Sequence, residues 1–315
     1  MQAYEQLEHD WALMHELDPE HMVACSSGTA ALHLAFESLR YRNRWKDTDE
    51  ILCPSFSMVA CPRGIAAANL KPRFVDVDFS TGVTTKWDWL KMSCVKGVLA
   101  VHTYGRLATL PNFDTCIVED LAEAHGVFPS SHSDAACWSF YKNKVVAGEE
   151  GGAVYFKDLE AARVAKELRC LGMGPVHDFR VLPRGMNYRM SNVHANLILP
   201  SMKNMKENLK KRREVEKWYK KLLPDNRPTR LIPWVYDFLL PRYLSPEFVV
   251  GYFNKKGIAA RHSFCPNHSQ IEFRTSENLG ASKTLYENLI YLPIYPDMEL
   301  SDVEQIKEVY EEIVL

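Results

Sequence analysis

Residues 22–39 read M-V-A-C-S-S-G-T-A-A-L-H-L-A-F-E-S-L: a short apolar run, a turn of small polar residues, and a stretch with helical apolar spacing. Residues 22–25 are predicted to form a buried strand, 26–29 the turn and 30–39 a helix. A strand that turns through small residues into a helix aims backbone N–H groups and the positive end of the helix at one point, which suits an anion. Ser and Thr are equally ordinary N-caps, so on local grounds the turn reads either as an anion site or as a cap.

Working outward, the same unit recurs. Strands are expected at 50–53, 73–77, 96–102, 116–119, 136–140 and 152–156, and helices at 63–68 and 160–171. Repeated βα units of this length predict an α/β fold with a mainly parallel central sheet and helices on both faces. Ligands of such sheets bind beyond the carboxyl ends of the strands. That rule marks Ser26, Ser55, His102, Asp120 and Ser139 as the first polar residues to consider. Before the opening unit, 3–17 carries an apolar helical stripe of Tyr4, Leu7, Trp11, Leu13 and Met14. After the last strand, 172–188 reads as loop and 190–222 as one long helix bent at Pro200, where the ring removes an N–H. A proline-rich connector is expected at 224–233, then a strand at 234–240 and helices at 246–256 and 302–314. The predicted organisation is a large domain, 1–222, and a small C-terminal α+β domain, 223–315.

With 315 residues, 46% of them hydrophobic, the chain can bury a large core. A net charge of -2 gives the whole chain no polyelectrolyte character. The first 18 residues are charged throughout, and the N-terminal region has no apolar run long enough for a signal peptide or a span. The expectation is a soluble, cytoplasmic protein with no membrane partner. Eight cysteines without a C-x-x-C pair read as reduced, buried thiols in a reducing compartment rather than disulfides or a metal site. Between 201 and 221 stand nine Lys/Arg against three Glu. That stretch is a solvated helix face or, less favoured, a patch for an anionic partner such as nucleic acid.

Taken together the motifs say more than any one of them. They are S-S-G-T-A-A-L-H-L-A (26–35), P-S-F-S-M-V-A (54–60), K-P-R-F-V-D-V-D (71–78), V-H-T-Y-G (101–105), V-E-D-L-A-E-A-H-G (118–126), S-F-Y-K-N-K-V-V-A-G-E-E-G-G (139–152) and N-Y-R-M-S (187–191). In this order they resemble the DegT/StrS family of sugar aminotransferases, which bind pyridoxal 5′-phosphate on the fold-type-I scaffold. The last third resembles the family more weakly, through R-H-S-F-C-P-N-H (261–268) and L-P-I-Y-P (292–296).

The resemblance implies roles that the chemistry makes intelligible. Lys144 matches the family's lysine, whose unprotonated amine forms a Schiff base with the cofactor aldehyde and then relays a proton. Lys142 falls at a variable position. Asp120 matches the carboxylate that faces the pyridine nitrogen. Glu123 occupies a position where the family has Gln or Glu near the ring oxygen. Gly28, Thr29 and Ser139 match donors to the phosphate. Asn187 matches an asparagine that reaches the phosphate of a neighbouring subunit, which implies a homodimer with shared sites. Ser27, Tyr104 and His125 fall beside these groups as candidates to support them, and His125 reads equally well as a packed core histidine. No metal is expected.

Three departures stand out. Met58 replaces the family's aromatic residue over the cofactor ring, and a thioether covers a ring face with less defined geometry. The family's N-terminal arm has no counterpart, and the small domain is short. The expected activity is transfer of an amino group from an amino-acid donor, glutamate or glutamine, to a keto or aldehyde group of a sugar-nucleotide-like acceptor. Decarboxylase or lyase chemistry on another substrate, such as a modified nucleotide or base, is the alternative. A non-catalytic binding protein on this scaffold is the third reading. A dehydratase branch of the family has histidine in place of the lysine, and Lys144 speaks against it.

Overall fold

The computed structural model describes residues 1–87, 92–174, 180–224 and 227–314. Parts of the expected loop (175–179) and of the connector (225–226) lie outside the described residues.

Seven strands form the main sheet: β1 (Met22–Cys25), β2 (Glu50–Pro54), β3 (Lys71–Val75), β4 (Val95–Val101), β5 (Cys116–Asp120), β6 (Ala135–Ser139) and β7 (Gly152–Phe156). Their order is β1-β7-β6-β5-β4-β2-β3. Strands β2 to β6 pair in parallel, as the repeated βα units predict. β7 runs antiparallel to both β6 and β1. The reason is the connection: only the loop 140–151 joins β6 to β7, and a parallel return needs a longer crossover.

Alternation along the strands gives the layers. Met22, Ala24, Ala136, Trp138 and Ala153 face one apolar cluster, with α1 (Ala3–Met14) and α5 (Asn192–Lys203) packed over it. Val23, Cys25, Ala135, Cys137 and Val154 face the other, under α2 (Gly28–Asn43), α3 (Ala60–Ala67) and α4 (Leu159–Leu168). With both faces covered, the middle of most strands is apolar on both sides, the pattern of a sheet buried on both faces.

Where one bent helix was expected over 190–222, two are found, α5 and α6 (Met205–Leu222), and the break is at Asn204 rather than Pro200. Proline's fixed φ is compatible with a helix, and α5 continues for three residues past Pro200. Asn204, at φ -89° and ψ 0°, ends one helix and starts the next. Val215 and Tyr219 of α6 pack with a second sheet of β8 (Tyr236–Leu239), β10 (Leu289–Leu292) and β9 (Arg261–His262), all antiparallel. Around it lie α7 (Pro246–Lys255), α8 (Gly280–Asn288) and α9 (Leu300–Val314).

Buried polar contacts fix this second sheet against the first. Asp76, just past β3, accepts from the N–H groups of Ala281 and Ser282 at the start of α8, 2.9 and 2.8 Å away. Ser55 Oγ lies 2.6 Å from His268 Nδ1, and Asn267 donates to the Ser55 and Ser57 carbonyls. On β8, Asp237 accepts from Arg106, Arg227 and Arg230. Burial alone would raise its carboxyl, but the three guanidinium groups hold it well below the usual carboxylate range.

Candidate active site

At the carboxyl ends of β4, β5 and β6 the chain leaves a cleft of about 380 Å³. Of the strand-end residues, His102, Asp120 and Ser139 line it, whereas Ser26 and Ser55 do not. Ser26 donates its N–H to the Tyr188 carbonyl, and Ser55 is spent on the segment at His268. Among the expected ligands, Ser27, Gly28, Thr29, Met58, Glu123 and Lys144 also line the cleft.

Main chain builds one side. Gly152 pairs with both Cys25 and Ser139, so the turn after β1 and the end of β6 are forced together. A Cβ on Gly28 would stand 2.6 Å from Ser139 Cβ, and one on Gly152 would stand 2.3 Å from the Ser27 carbonyl oxygen. Only glycine permits either approach. Ser27 caps α2: its Oγ accepts from Ala30 N–H at 3.1 Å and its carbonyl from Ala31 N–H. Among the described residues no group takes the N–H of Gly28 or Thr29, which a helix leaves without internal partners. Two open amides, the positive end of a helix and the Ser139 hydroxyl thus meet in the cleft, and this set fits a phosphate.

Asp120 ends β5. Its Oδ1 accepts from Ala122 N–H at 3.0 Å and its Oδ2 from the Cys61 thiol at 3.3 Å. Beside it His102 accepts Ala108 N–H on Nδ1, so Nε2 carries the proton and donates to Glu119 at 2.9 Å. Burial raises the Glu119 carboxyl, but His102 and the Ser130 and Ser133 donors outweigh it and hold it low.

Lys144 sits on the loop after β6, 11% exposed, with Nζ 3.6 Å from Glu123 Oε1 and 3.9 Å over the Trp234 ring. Short bonds pin the loop. Phe140 donates to the Gly151 carbonyl, Gly148 to that of Phe140, Ala147 to Ser201 Oγ, and Trp234 Nε1 to the Asn143 carbonyl at 2.7 Å. Val146 N–H donates to His125 Nδ1 at 3.1 Å. Burial first, then Lys144, push His125 well below its ordinary value. His125 is therefore a neutral imidazole that supports the lysine loop from behind. Tyr104 does the same for Glu123, donating its N–H to Oε2 at 2.7 Å from a left-handed backbone, φ 54°. Burial pushes Glu123 up to about 7, against the pull of Lys144.

Opposite stands an aromatic wall that the motifs did not identify. Trp234, Phe264 and Tyr291 line it, with the Tyr104 ring stacked on Phe264 at 5.3 Å. Arg261, exposed at the mouth, is also a lining residue. Phe264 and Arg261 lie in the motif 261–268, the one signal available in the sequence. Met58 lines the cleft and is half exposed, at 51%. Asn187 does not line it and is exposed, paired across a bridge with Cys170. All eight cysteines are free thiols.

Known proteins share this sequence pattern and this fold. The chain is 26% identical over 324 residues to the GDP-perosamine synthase of Caulobacter vibrioides, covering 94% of this chain and 86% of that protein. It is 26% identical to the dTDP-4-dehydro-2,3,6-trideoxy-D-glucose 4-aminotransferase of Saccharopolyspora spinosa, covering 95% and 86%. Its fold matches the crystal structure of the aminotransferase TlmJ from Streptoalloteichus hindustanus with a TM-score of 0.87 at 23% identity, over 100% of this chain and 92% of that one. Helicobacter pylori PseC, an aminotransferase of pseudoaminic acid biosynthesis, matches at a TM-score of 0.86 and 19% identity, over 99% and 91%. Residues 2–311 match the sequence model of the DegT/DnrJ/EryC1/StrS aminotransferase family, and the chain belongs to that family.

Proposed function

We propose that this protein is a pyridoxal 5′-phosphate-dependent aminotransferase that moves an amino group from an amino acid to a keto or aldehyde group of a sugar nucleotide. One observation carries the reading: a largely enclosed lysine, a strand-end carboxylate and a glycine-dependent phosphate cradle share one cleft. The residues fit the cofactor. Gly28, Thr29 and Ser139 would hold its phosphate, Asp120 its ring nitrogen and Glu123 its ring oxygen, with Met58 against the ring and Lys144 at the aldehyde. When bound, the cofactor supplies an electron sink for negative charge at the donor's α-carbon.

The chain's own groups do the rest. Lys144 takes the α-proton from the donor as general base and gives it up again as general acid. Asp120, held by Ala122 N–H and the Cys61 thiol, would face the cofactor's ring nitrogen. Glu123, fixed by Tyr104 N–H, faces the amine from one side and Trp234 faces it from the other. The aromatic wall limits water at the reacting carbon. Arg261 at the mouth suits a substrate phosphate or carboxylate. The exposure of Asn187 outside the cleft supports its reading as a residue that serves a neighbouring subunit in a homodimer. Relatives that act on GDP- and dTDP-linked sugars support the acceptor class. No helix among the described residues is long and apolar enough to cross a membrane, in keeping with a cytoplasmic enzyme.

Single-turnover spectra of the full chain loaded with pyridoxal phosphate test this. Glutamate should bleach the visible band and release one 2-oxoglutarate per site, and a nucleoside-diphosphate keto-sugar should restore the band. Carbon dioxide release from an amino acid, without a stored amine, would sink the aminotransferase reading.

A further inference from the structure

The carboxylate at the end of β5 has an unusual pair of supports. Asp120 Oδ1 takes a backbone N–H, a strong donor, while Oδ2 takes a thiol, a weak one. The thiol belongs to Cys61 in the first turn of α3, fully buried. Cys61 N–H donates to the Met58 carbonyl at 2.9 Å, so one short turn carries Met58 on the cleft surface and Cys61 beneath it. Two more buried thiols, Cys53 and Cys137, feel the Asp120 charge. Among the described residues no cation forms an ion pair with Asp120.

We propose that Cys61 is a positioning residue for Asp120, its S–H fixing the plane of the carboxylate while leaving most of the charge on Oδ2 free for a cationic group in the cleft. The proposal rests on the reading of Asp120 as the partner of the cofactor's ring nitrogen. The direction of the bond is secure, because burial and the Asp120 charge both push the Cys61 thiol well above its ordinary value. It stays protonated, and toward a carboxylate, which only accepts, it donates. A hydroxyl in its place is a stronger donor and draws charge off Oδ2. A methyl group leaves the charge but frees the carboxylate to turn. Cys61→Ser therefore acts on the charge of the ring nitrogen and Cys61→Ala on cofactor affinity, a split that a packing role for the thiol would not produce.

Infrared spectra of the full chain without added cofactor read the bond itself. The S–H stretch assigned by the difference between the natural chain and Cys61→Ala should lie below the free-thiol band, and Asp120→Asn should move it toward that band. Nitrogen-15 spectra with labelled pyridoxal phosphate read the consequence. Cys61→Ser should shift the ring nitrogen toward its neutral form. Cys61→Ala should keep it protonated but weaken cofactor binding about tenfold, the scale of one lost hydrogen bond. An S–H band that Asp120→Asn leaves in place overturns this inference and leaves the proposed function standing. So do variants that both keep the natural nitrogen shift and affinity. A chain that takes up no pyridoxal phosphate overturns both.

Discussion

The two sides of the cleft are held by different forces. On the side of Gly28, Ser139 and Asp120, positions follow from main-chain pairing. Gly152 bridges two strands, Ser27 caps a helix, and two glycine contacts leave no room for adjustment. On the side of Trp234, Phe264 and Tyr291, positions follow from side-chain packing and from three polar anchors between sheets, at Asp76, Ser55 and Asp237. Strand pairing tolerates almost no displacement, whereas packed side chains accept other hydrophobes of similar volume. The rigid side therefore suits a cofactor that never changes, and the packed side suits recognition of a substrate. Lys144 stands between them, with Glu123 on one flank and the Trp234 face on the other.

The largest effect should come from removing that shared group. Lys144→Ala is expected to lower kcat by about 10⁴-fold, the upper range for a positioned acid–base group. The visible band of bound cofactor should vanish while phosphate-dependent affinity on the rigid side persists. Equilibrium dialysis against pyridoxal phosphate checks the second half; loss of all binding would mean that the cradle does not stand alone.

Next is the pH response of Glu123. Burial raises its carboxyl from 4.5 to about 7 in the folded chain, so the folded state holds a proton that the unfolded chain releases near 4.5. The resulting stability is complete below the unfolded value and is lost as pH rises through about 7. At about 1.4 kcal/mol per unit the swing is roughly 3 kcal/mol. Urea unfolding at acidic and mildly alkaline pH should show that swing in the natural chain and lose it in Glu123→Gln. Equal pH dependence in the two would show a fully charged Lys144–Glu123 pair and tie Lys144 to the rigid side alone.

Gly28→Ala probes that rigidity with a single carbon. Its Cβ would lie 2.6 Å from Ser139 Cβ and 3.1 Å from Oγ, so α2 and β6 must part. Overpacking of this kind costs about 1–3 kcal/mol, and cofactor affinity should fall with it. Gly251→Ala is the control. Nothing lies within 4 Å of its added carbon in α7, and relief of glycine's entropy should stabilise the chain by about 0.5–1 kcal/mol. Comparable losses in both would remove the distinction between the sides.

The same contrast explains what could be read from the chain alone. Asp120, Ser139 and the 26–29 turn are legible because each closes a run read as a strand, and strand ends in a parallel sheet share one edge. Trp234 and Tyr291 are not legible in this way. Trp234 lies just before β8 and Tyr291 within β10, and they reach the cleft only through anchors whose partners are as much as 213 residues apart, as at Ser55. Ser55 shows the reverse error: it stands at a strand end, yet its hydroxyl serves one of those anchors. The antiparallel β7 and the break at Asn204 were hidden for a related reason. Apolar spacing records which residues are buried, not the direction of a strand or the one residue at which a helix stops.

The smallest effect isolates how the packed side acts on the lysine. Trp234 offers two contacts, a ring face under Lys144 Nζ at 3.9 Å and an Nε1–H donated to the Asn143 carbonyl. Trp234→Phe keeps a face and loses the donor, so kcat should fall about fivefold, the scale of one hydrogen bond. Trp234→Leu loses both, and a partly desolvated cation–π contact of about 1 kcal/mol should cost a similar factor again. The effect should fall on kcat more than on KM for the donor, because the loop holding Lys144 is loosened while the cradle is untouched. If Trp234→Leu raises KM alone, the aromatic wall only admits substrate and excludes water. The lysine is then positioned entirely by main chain, and the division between the two sides is sharper than the ring contact suggests.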